Sequence, residues 1–265
     1  MGSLERKPRL LGLAVVVAAA CSAMACGFDG LGLAPEATPV ADAGPGPALA
    51  ERDASPADAG SDASTIDATA DAVVLPAPLT LTSSAPPPTL DLEVEGTLGW
   101  IHFGTTTNNE DSFNEKASAK GLLPRFTVTG STDIRTYEDN FTVFRWTNGS
   151  GRATESGTRN GVYSKTGLPA FHLDRVVGTA PQRWVVYAGV FKCKALLTVQ
   201  LGAGTGAPKA TAVLDNASNG YARFVIDHRA PAENTELKLT WELTTAYDPN
   251  NSNVTLAAQT LAPIP

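Results

Sequence analysis

Cysteine and histidine are scarce in this chain: three of each in 265 residues. Cys21 and Cys26 lie near the start, so Cys193 is the one thiol of the region that folds, where a lone cysteine packs as a small apolar group. His102, His172 and His228 fall on three different predicted strands, and no HExxH or other close pairing occurs. No GxSxG precedes a helical pattern. The glycine cluster Gly202 to Gly206 ends a strand, but Pro208 and a further strand follow where a nucleotide fold needs a helix. Sustained helical periodicity is missing as well. The apolar run Leu10 to Ala20 falls short of the roughly 20 residues a membrane span needs. A basic face is also absent: residues 96–265 carry sixteen bases and fourteen acids, which gives nucleic acid nothing to bind. These absences predict a chain with no catalytic residues, no metal site and no cofactor.

Three regions stand out in what is present. Residues 1–26 have a basic start (Arg6, Lys7, Arg9), the apolar run, and then Ala18-Ala19-Ala20-Cys21 with a second match at Ala23-Met24-Ala25-Cys26. This is the layout of a secretory signal. Small residues before a cysteine resemble the lipobox of bacterial lipoproteins. The resemblance implies cleavage before Cys21, with Cys26 as the alternative, and a diacylglycerol on the new terminal cysteine. The expected partner is a membrane, held through the lipid without any spanning helix. Neither cysteine is followed by Asp, which by the same resemblance implies an outer-membrane address in the cell envelope, periplasmic or at the surface. Plain secretion is the alternative.

Residues 27–88 are dominated by Ala, Asp, Pro, Ser and Gly. Residues 35–95 carry eleven acids against Arg52 alone. Few large apolar side chains occur, so burial would not offset the entropy of ordering this backbone. The expectation is an extended acidic tether.

From Thr89 to the end, residues 89–265, short alternating segments are separated by Gly and Asn turn signals, which predicts an all-β, antiparallel sandwich of jelly-roll type. Leu90, Leu92 and Val94 alternate with Asp91, Glu93 and Glu95 as a strand with one wet face. Arg183 to Leu201 is the densest apolar stretch outside the N-terminus, with its odd-numbered positions from Val185 to Leu201 apolar throughout. As one strand it would be about 60 Å long, so the expectation is two strands hinged near Lys192-Cys193-Lys194. Asn216 to Gly220 is expected to be a turn.

Several strings in this region occur in a familiar order: Gly99-Trp100-Ile101-His102-Phe103-Gly104, Arg145-Trp146-Thr147-Asn148-Gly149, Val186 to Phe191, and Asn253 to Ala258. Together they resemble a module repeated in large secreted bacterial proteins that degrade polysaccharides or adhere to surfaces. The resemblance implies a β-sandwich accessory module without catalytic residues. The chain departs from that pattern at Asn148, usually Asp, and at Phe103, usually Trp.

For binding, aromatics beside polar groups are the expected chemistry, because a sugar ring has C–H faces that stack on a flat ring and hydroxyls that need partners. Trp146 with Arg145 and Asn148 is the first expected site, followed by Tyr163 and His102. Asp248, Asn250, Asn251 and Asn253 gather oxygen atoms in one loop, but without the spacing of a calcium loop. Glu110-Asp111 and Glu138-Asp139 read as solvated loop charges. The function expected is non-catalytic binding of an extracellular glycan or a cell-surface partner. A structural or adhesive envelope protein is the alternative.

Overall fold

The computed structural model describes residues 77–105 and 109–264. Cys21, Cys26 and the expected signal and tether through residue 76 lie outside them. The strands are β1 (Leu79–Ser84), β2 (Thr89–Asp91), β3 (Gly99–Phe103), β4 (Phe113–Glu115), β5 (Thr127–Thr129), β6 (Asp133–Tyr137), β7 (Val143–Trp146), β8 (Glu155–Thr158), β9 (Gly161–Lys165), β10 (Ala170–Val177), β11 (Gln182–Leu201), β12 (Lys209–His228), β13 (Thr235–Ala246) and β14 (Asn253–Pro263). A single helical turn, α1 (Leu92–Glu95), follows β2. None of the described helices is long and apolar enough to cross a membrane.

The expected hinge at Lys192 is not a chain reversal. β11 runs unbroken for 20 residues, and β12, equally long, pairs with it along its length. The reversal lies between them, after Leu201. At Lys192 the strand instead carries a β-bulge: φ is +51° and the register with β12 slips between Phe191 and Cys193. Lys192 faces two residues of β12, Ala217 and Ser218, and across it the side-chain parity of β11 shifts by one. Even positions Trp184, Val186, Ala188 and Val190 enter the main core before the bulge, and odd positions Cys193, Ala195, Leu197, Val199 and Leu201 enter it after. The parity that faces the main core therefore changes midway along the strand, although the odd positions are apolar on both sides of Lys192. Asn216 to Gly220, expected as a turn, lies opposite the bulge inside β12.

The two halves of β11 take different neighbours on the edge away from β12. The first half pairs with β14, the second with β13. The sheet thus curls on itself as an antiparallel sandwich, and the halves meet through rings: Phe224 lies 5.4 Å from Trp241, and Phe126 bridges Phe103 and Phe171 at 5.2 and 5.1 Å.

A second layer covers part of the outside. β2, β7 and β8 form a small sheet, with β2 and β7 parallel. Under it the odd residues Val185 and Tyr187 of β11 pack with Leu92, Trp100, Phe144 and Trp146 in a second apolar cluster. This explains why residues 184–190 are buried on both faces.

Two boundaries differ from expectation. Among the described residues, folded structure already includes Leu79 to Ser84, ahead of the expected start at Thr89: β1 pairs with β12 from Leu79↔His228 to Ser84↔Arg223. Leu79 and Leu81 alternate with Thr80 and Thr82 and pack against the main core, a short period-two signal inside a polar, proline-rich context. The strand expected over Leu90 to Glu95 becomes a helical turn capped by the Asp91 side chain. Val94 ends 73 % exposed while Glu93 and Glu95 turn inward to partners, the reverse of the alternating pattern.

Candidate functional site

Five strands lie side by side in the order β6, β9, β14, β11, β12. Their register sets Arg135, Tyr163, Thr255, Gly189 and Tyr221 in one row across the sheet. The next row runs Asp133, Lys165, Asn253, Phe191 and Asn219. Directly paired residues share a face. On β11 this is the outer, odd-numbered face, one step beyond Val185 and Tyr187, where the covering sheet has ended.

Gly189 makes the dip. It has no side chain, and a Cβ there would meet Gly220 O at 2.6 Å, Thr255 Oγ1 at 2.7 Å and Tyr221 Cδ1 at 2.8 Å. Between Tyr163 and Tyr221 lie three strand spacings, about 14 Å. The result is an open groove of about 190 Å³ whose walls are Tyr137, Tyr163, Phe191 and Tyr221. Asp139, Asn219, Asn253 and Thr255 supply polar atoms around them. The volume is below the roughly 300 Å³ at which drug-sized pockets begin. It suits a short length of a flexible chain crossing the strands.

The polar groups are held in place. Tyr221 Oη donates to Asp139 O at 3.3 Å, and Asn140 Nδ2 donates to Tyr137 Oη at 2.7 Å. Burial, with Asp139 nearby, pushes the Tyr221 phenol up to about 12, and burial raises that of Tyr137 as well. Both stay neutral hydroxyls at ordinary pH. Thr255 is 6 % exposed, and its hydroxyl has no well-formed hydrogen bond. Lys192 Nζ sits 5.2 Å from the Phe191 ring and 3.1 Å from Asp248 Oδ2, a cation at the end of the groove that is already paired.

Of the residues expected from sequence to bind, Tyr163 falls in this groove and the others do not. Trp146 is 2 % exposed; its Nε1 donates to Arg152 O at 3.0 Å, and its ring lies against Trp100 at 5.4 Å and His102 at 5.0 Å. It has no open face for a sugar, because the covering sheet buries the β7 side chains that face inward. His102 is fully buried between Trp146 and Phe144. Burial lowers its pKa to about 3, so it stays neutral. Arg145 Nε points outward to Asp91 Oδ2 at 3.2 Å, and Asn148, with φ +59°, donates to Ser118 Oγ at 3.0 Å. All four tryptophans are buried.

The oxygen-rich loop after β13 has a structural use. Asp248 Oδ1 accepts from the backbone N–H of Asn250 and Asn251, and its Oδ2 from Asn251 Nδ2 and Lys192 Nζ. These bonds, Asn251 and then Lys192 foremost, hold its pKa down at about 2 and use up the carboxylate. Among the described residues no three His, Cys, Asp or Glu side chains gather as a metal site. Cys193 is free and buried; its Sγ lies 3.2 Å from Asn253 O, and burial pushes the thiol up to about 11.

Between groove and cover lies a polar cluster that pattern reading missed. Glu95 accepts from Tyr187 Oη, Arg223 Nη2 and Thr260 Oγ1, each at 2.9 Å. Next to it Glu93 pairs with Lys116 Nζ at 2.8 Å and accepts from Trp100 Nε1 at 2.9 Å. Burial pushes Glu93 up, but the bonds from Lys116 and Trp100 outweigh it and hold the carboxyl low. These bonds fasten α1 to the sheet.

No protein-family model and no curated protein matches the sequence. Among solved structures, the enzymatically active domain of bacteriophage CBA120 tailspike protein 4 is similar at 8 % identity and TM-score 0.35, over 52 % of this chain and 19 % of that one. The module TmCBM61, solved with β-1,4-galactotriose, is similar at 12 % identity and TM-score 0.34, over 52 % of this chain and 88 % of that one. Likenesses this slight carry no argument about function.

Proposed function

We propose that this chain is a non-catalytic glycan-binding protein and that the groove between Tyr163 and Tyr221 is where the sugar binds. The observation that carries this reading is the cross-strand row itself. Two tyrosines stand on either side of a glycine floor, with Phe191 in the next row and Asn219, Asn253 and Thr255 between the rings. Aromatic faces cover the C–H side of a pyranose, and amide and hydroxyl groups satisfy its hydroxyls. Two cations near the groove are engaged, Arg135 with Asp133 at 2.6 Å and Lys192 with Asp248. In the same reading the N-terminal signal and acidic stretch present the domain at the cell envelope from a lipid on Cys21, or on Cys26.

Isothermal titration against a panel of soluble polysaccharides, led by a glycan array, tests the groove. The expected result is binding by the wild type that Tyr163→Ala and Tyr221→Ala each weaken at least tenfold, with circular dichroism unchanged. Equal binding by all three would remove the groove from the proposal. Metabolic labelling with an alkyne fatty acid tests the anchor: Cys21→Ser should abolish the label, or Cys26→Ser if cleavage falls at the second site. A label that survives both changes, or none on the wild type, ends that part.

The second reading, a structural or adhesive envelope protein without a small ligand, draws on the burial of all four tryptophans. It is the one left standing if no glycan binds.

A further inference from the structure

At the end of the sandwich where β1 begins, the inner faces stop being apolar. Arg175 lies on β10 between Leu173 and Val177, both of which point into the main core, so strand alternation places it on that inner face too. Opposite it, Gln182 of β11 and His228 of β12 are directly paired and occupy the positions beyond Trp184 and Ile226. The Arg175 guanidinium lies 5.9 Å from the Trp184 ring and donates through Nη2 to Gln182 Oε1 at 3.3 Å.

What is missing from this cluster is negative charge. Arg175 Nε and Nη1 are buried with no hydrogen-bond partner, and so are both ring nitrogens of His228, a residue 2 % exposed. No carboxylate among the described residues forms an ion pair with Arg175. The nearest acid in sequence to His228, Asp227, points to the other face and is held by Arg183 through two bonds of 2.7 Å. A guanidinium buried without a counter-charge costs several kcal/mol, and one with two idle donors beside an idle imidazole is rarer still. His228 also borders a cavity of about 290 Å³ whose wall includes Pro181, Ile264, Arg229 and the Asp227 that Arg183 holds.

We propose that this end of the sandwich is a binding site for a small anion, an oxyanion or a halide, held by the guanidinium of Arg175 and the imidazole of His228. The anion closes the open hydrogen bonds of both side chains. It binds the folded state alone, because the unfolded chain does not bring β10 and β12 together. The site is separate from the sugar groove and does not depend on it.

Thermal unfolding of the full chain in sodium phosphate, sodium acetate and sodium bromide, at matched sodium and ionic strength, tests this. A saturable rise in midpoint is expected, roughly 5–10 °C at a hundredfold excess over Kd, and which salt gives the largest rise tells oxyanion from halide. Arg175→Met should abolish the dependence while leaving glycan binding at the groove unchanged. A midpoint indifferent to the anion, or an equal rise in Arg175→Met, overturns the proposal. If that variant does not fold, crystals of the wild type soaked in bromide decide. An anomalous peak within about 3.5 Å of the guanidinium supports the site, and an ordered water in its place refutes it.

Discussion

Glu95 and Arg223 stand 128 positions apart in the chain, yet Arg223 Nη2 and Nε lie 2.9 and 3.1 Å from Glu95 Oε1. Their side chains are 19 % and 27 % exposed. Tyr187 and Thr260 share the same carboxylate. Truncating Glu95 would leave a cation and two hydroxyls half-buried without their acceptor, which costs about 2–3 kcal/mol. Glu95→Ala should lower the urea midpoint accordingly, with Tyr187→Phe costing about 1 kcal/mol. A loss under about 0.5 kcal/mol for Glu95→Ala would mean that this cluster does not hold the helical turn to the sheet.

Two buried histidines set the response to acid. Burial lowers His102 to about 3; burial and Arg175 lower His228 to about 4. Both folded values lie below the unfolded one, near 6.5, so the unfolded chain takes up protons first. The contribution is complete above about pH 6.5 and is lost as pH falls toward 4 and then 3. Each histidine adds about 1.4 kcal/mol per pH unit within that window. Urea unfolding at pH 7.5, 6 and 5 should show stability flat at the top and falling below 6, and His102→Phe should remove about half the slope. A stability unchanged between pH 7.5 and 5 contradicts the buried neutral state of both.

Much of this fold is legible in the sequence because β-strands repeat every two residues. Alternation marks strands at Leu98–Phe103, Thr142–Thr147, Ala170–Val176, Glu236–Thr244 and Asn253–Thr260, and β3, β7, β10, β13 and β14 lie within a few residues of these. The failures share a physical cause. Around Lys192 the core-facing parity changes while the odd positions stay apolar in sequence, so the pattern does not mark the bulge, and the length of the run reads as a hinge. Across 184–190 both faces are buried, so period two carries no information there. Glu93 and Glu95 read as a wet face because ion pairing is set by Lys116 and Arg223, far away in sequence. The groove was out of reach for the same reason. Its row is assembled from five strands, and a glycine, Gly189, is its central feature. Tyrosines at outward positions beside Gly189 and Gly220 were the available signal, but tryptophan beside arginine at a strand end drew the attention instead.

The bulge makes a sharp prediction. Lys192→Val disfavours the +51° φ, and ordinary extended backbone at this position would turn Cys193, Ala195, Leu197, Val199 and Leu201 out of the core. That variant should lose about 1–3 kcal/mol of stability in urea unfolding. Lys192→Gly suits the +51° φ, giving up the ion pair to Asp248. It should stay within about 1 kcal/mol of the wild type. A Lys192→Val variant as stable as Lys192→Gly would show that the positive φ at this position does not set which side chains enter the core.

Trp146 and Tyr221 separate folding from binding. Trp146 lies between Trp100 and His102 in the second apolar cluster, so Trp146→Ala should cost about 3–5 kcal/mol through the cavity it leaves. Whatever fraction stays folded should bind glycan with the affinity of the wild type, because the ring does not reach the groove. Tyr221 has one half-exposed side facing the groove and one bond, to Asp139 O. Tyr221→Ala should cost about 1–2 kcal/mol and at least tenfold in affinity. The comparison needs urea midpoints and titrations on the same two preparations. If Trp146→Ala abolishes binding at a temperature where it is fully folded, while Tyr221→Ala binds normally, the sugar sits under the covering sheet and the open row of tyrosines is ordinary surface.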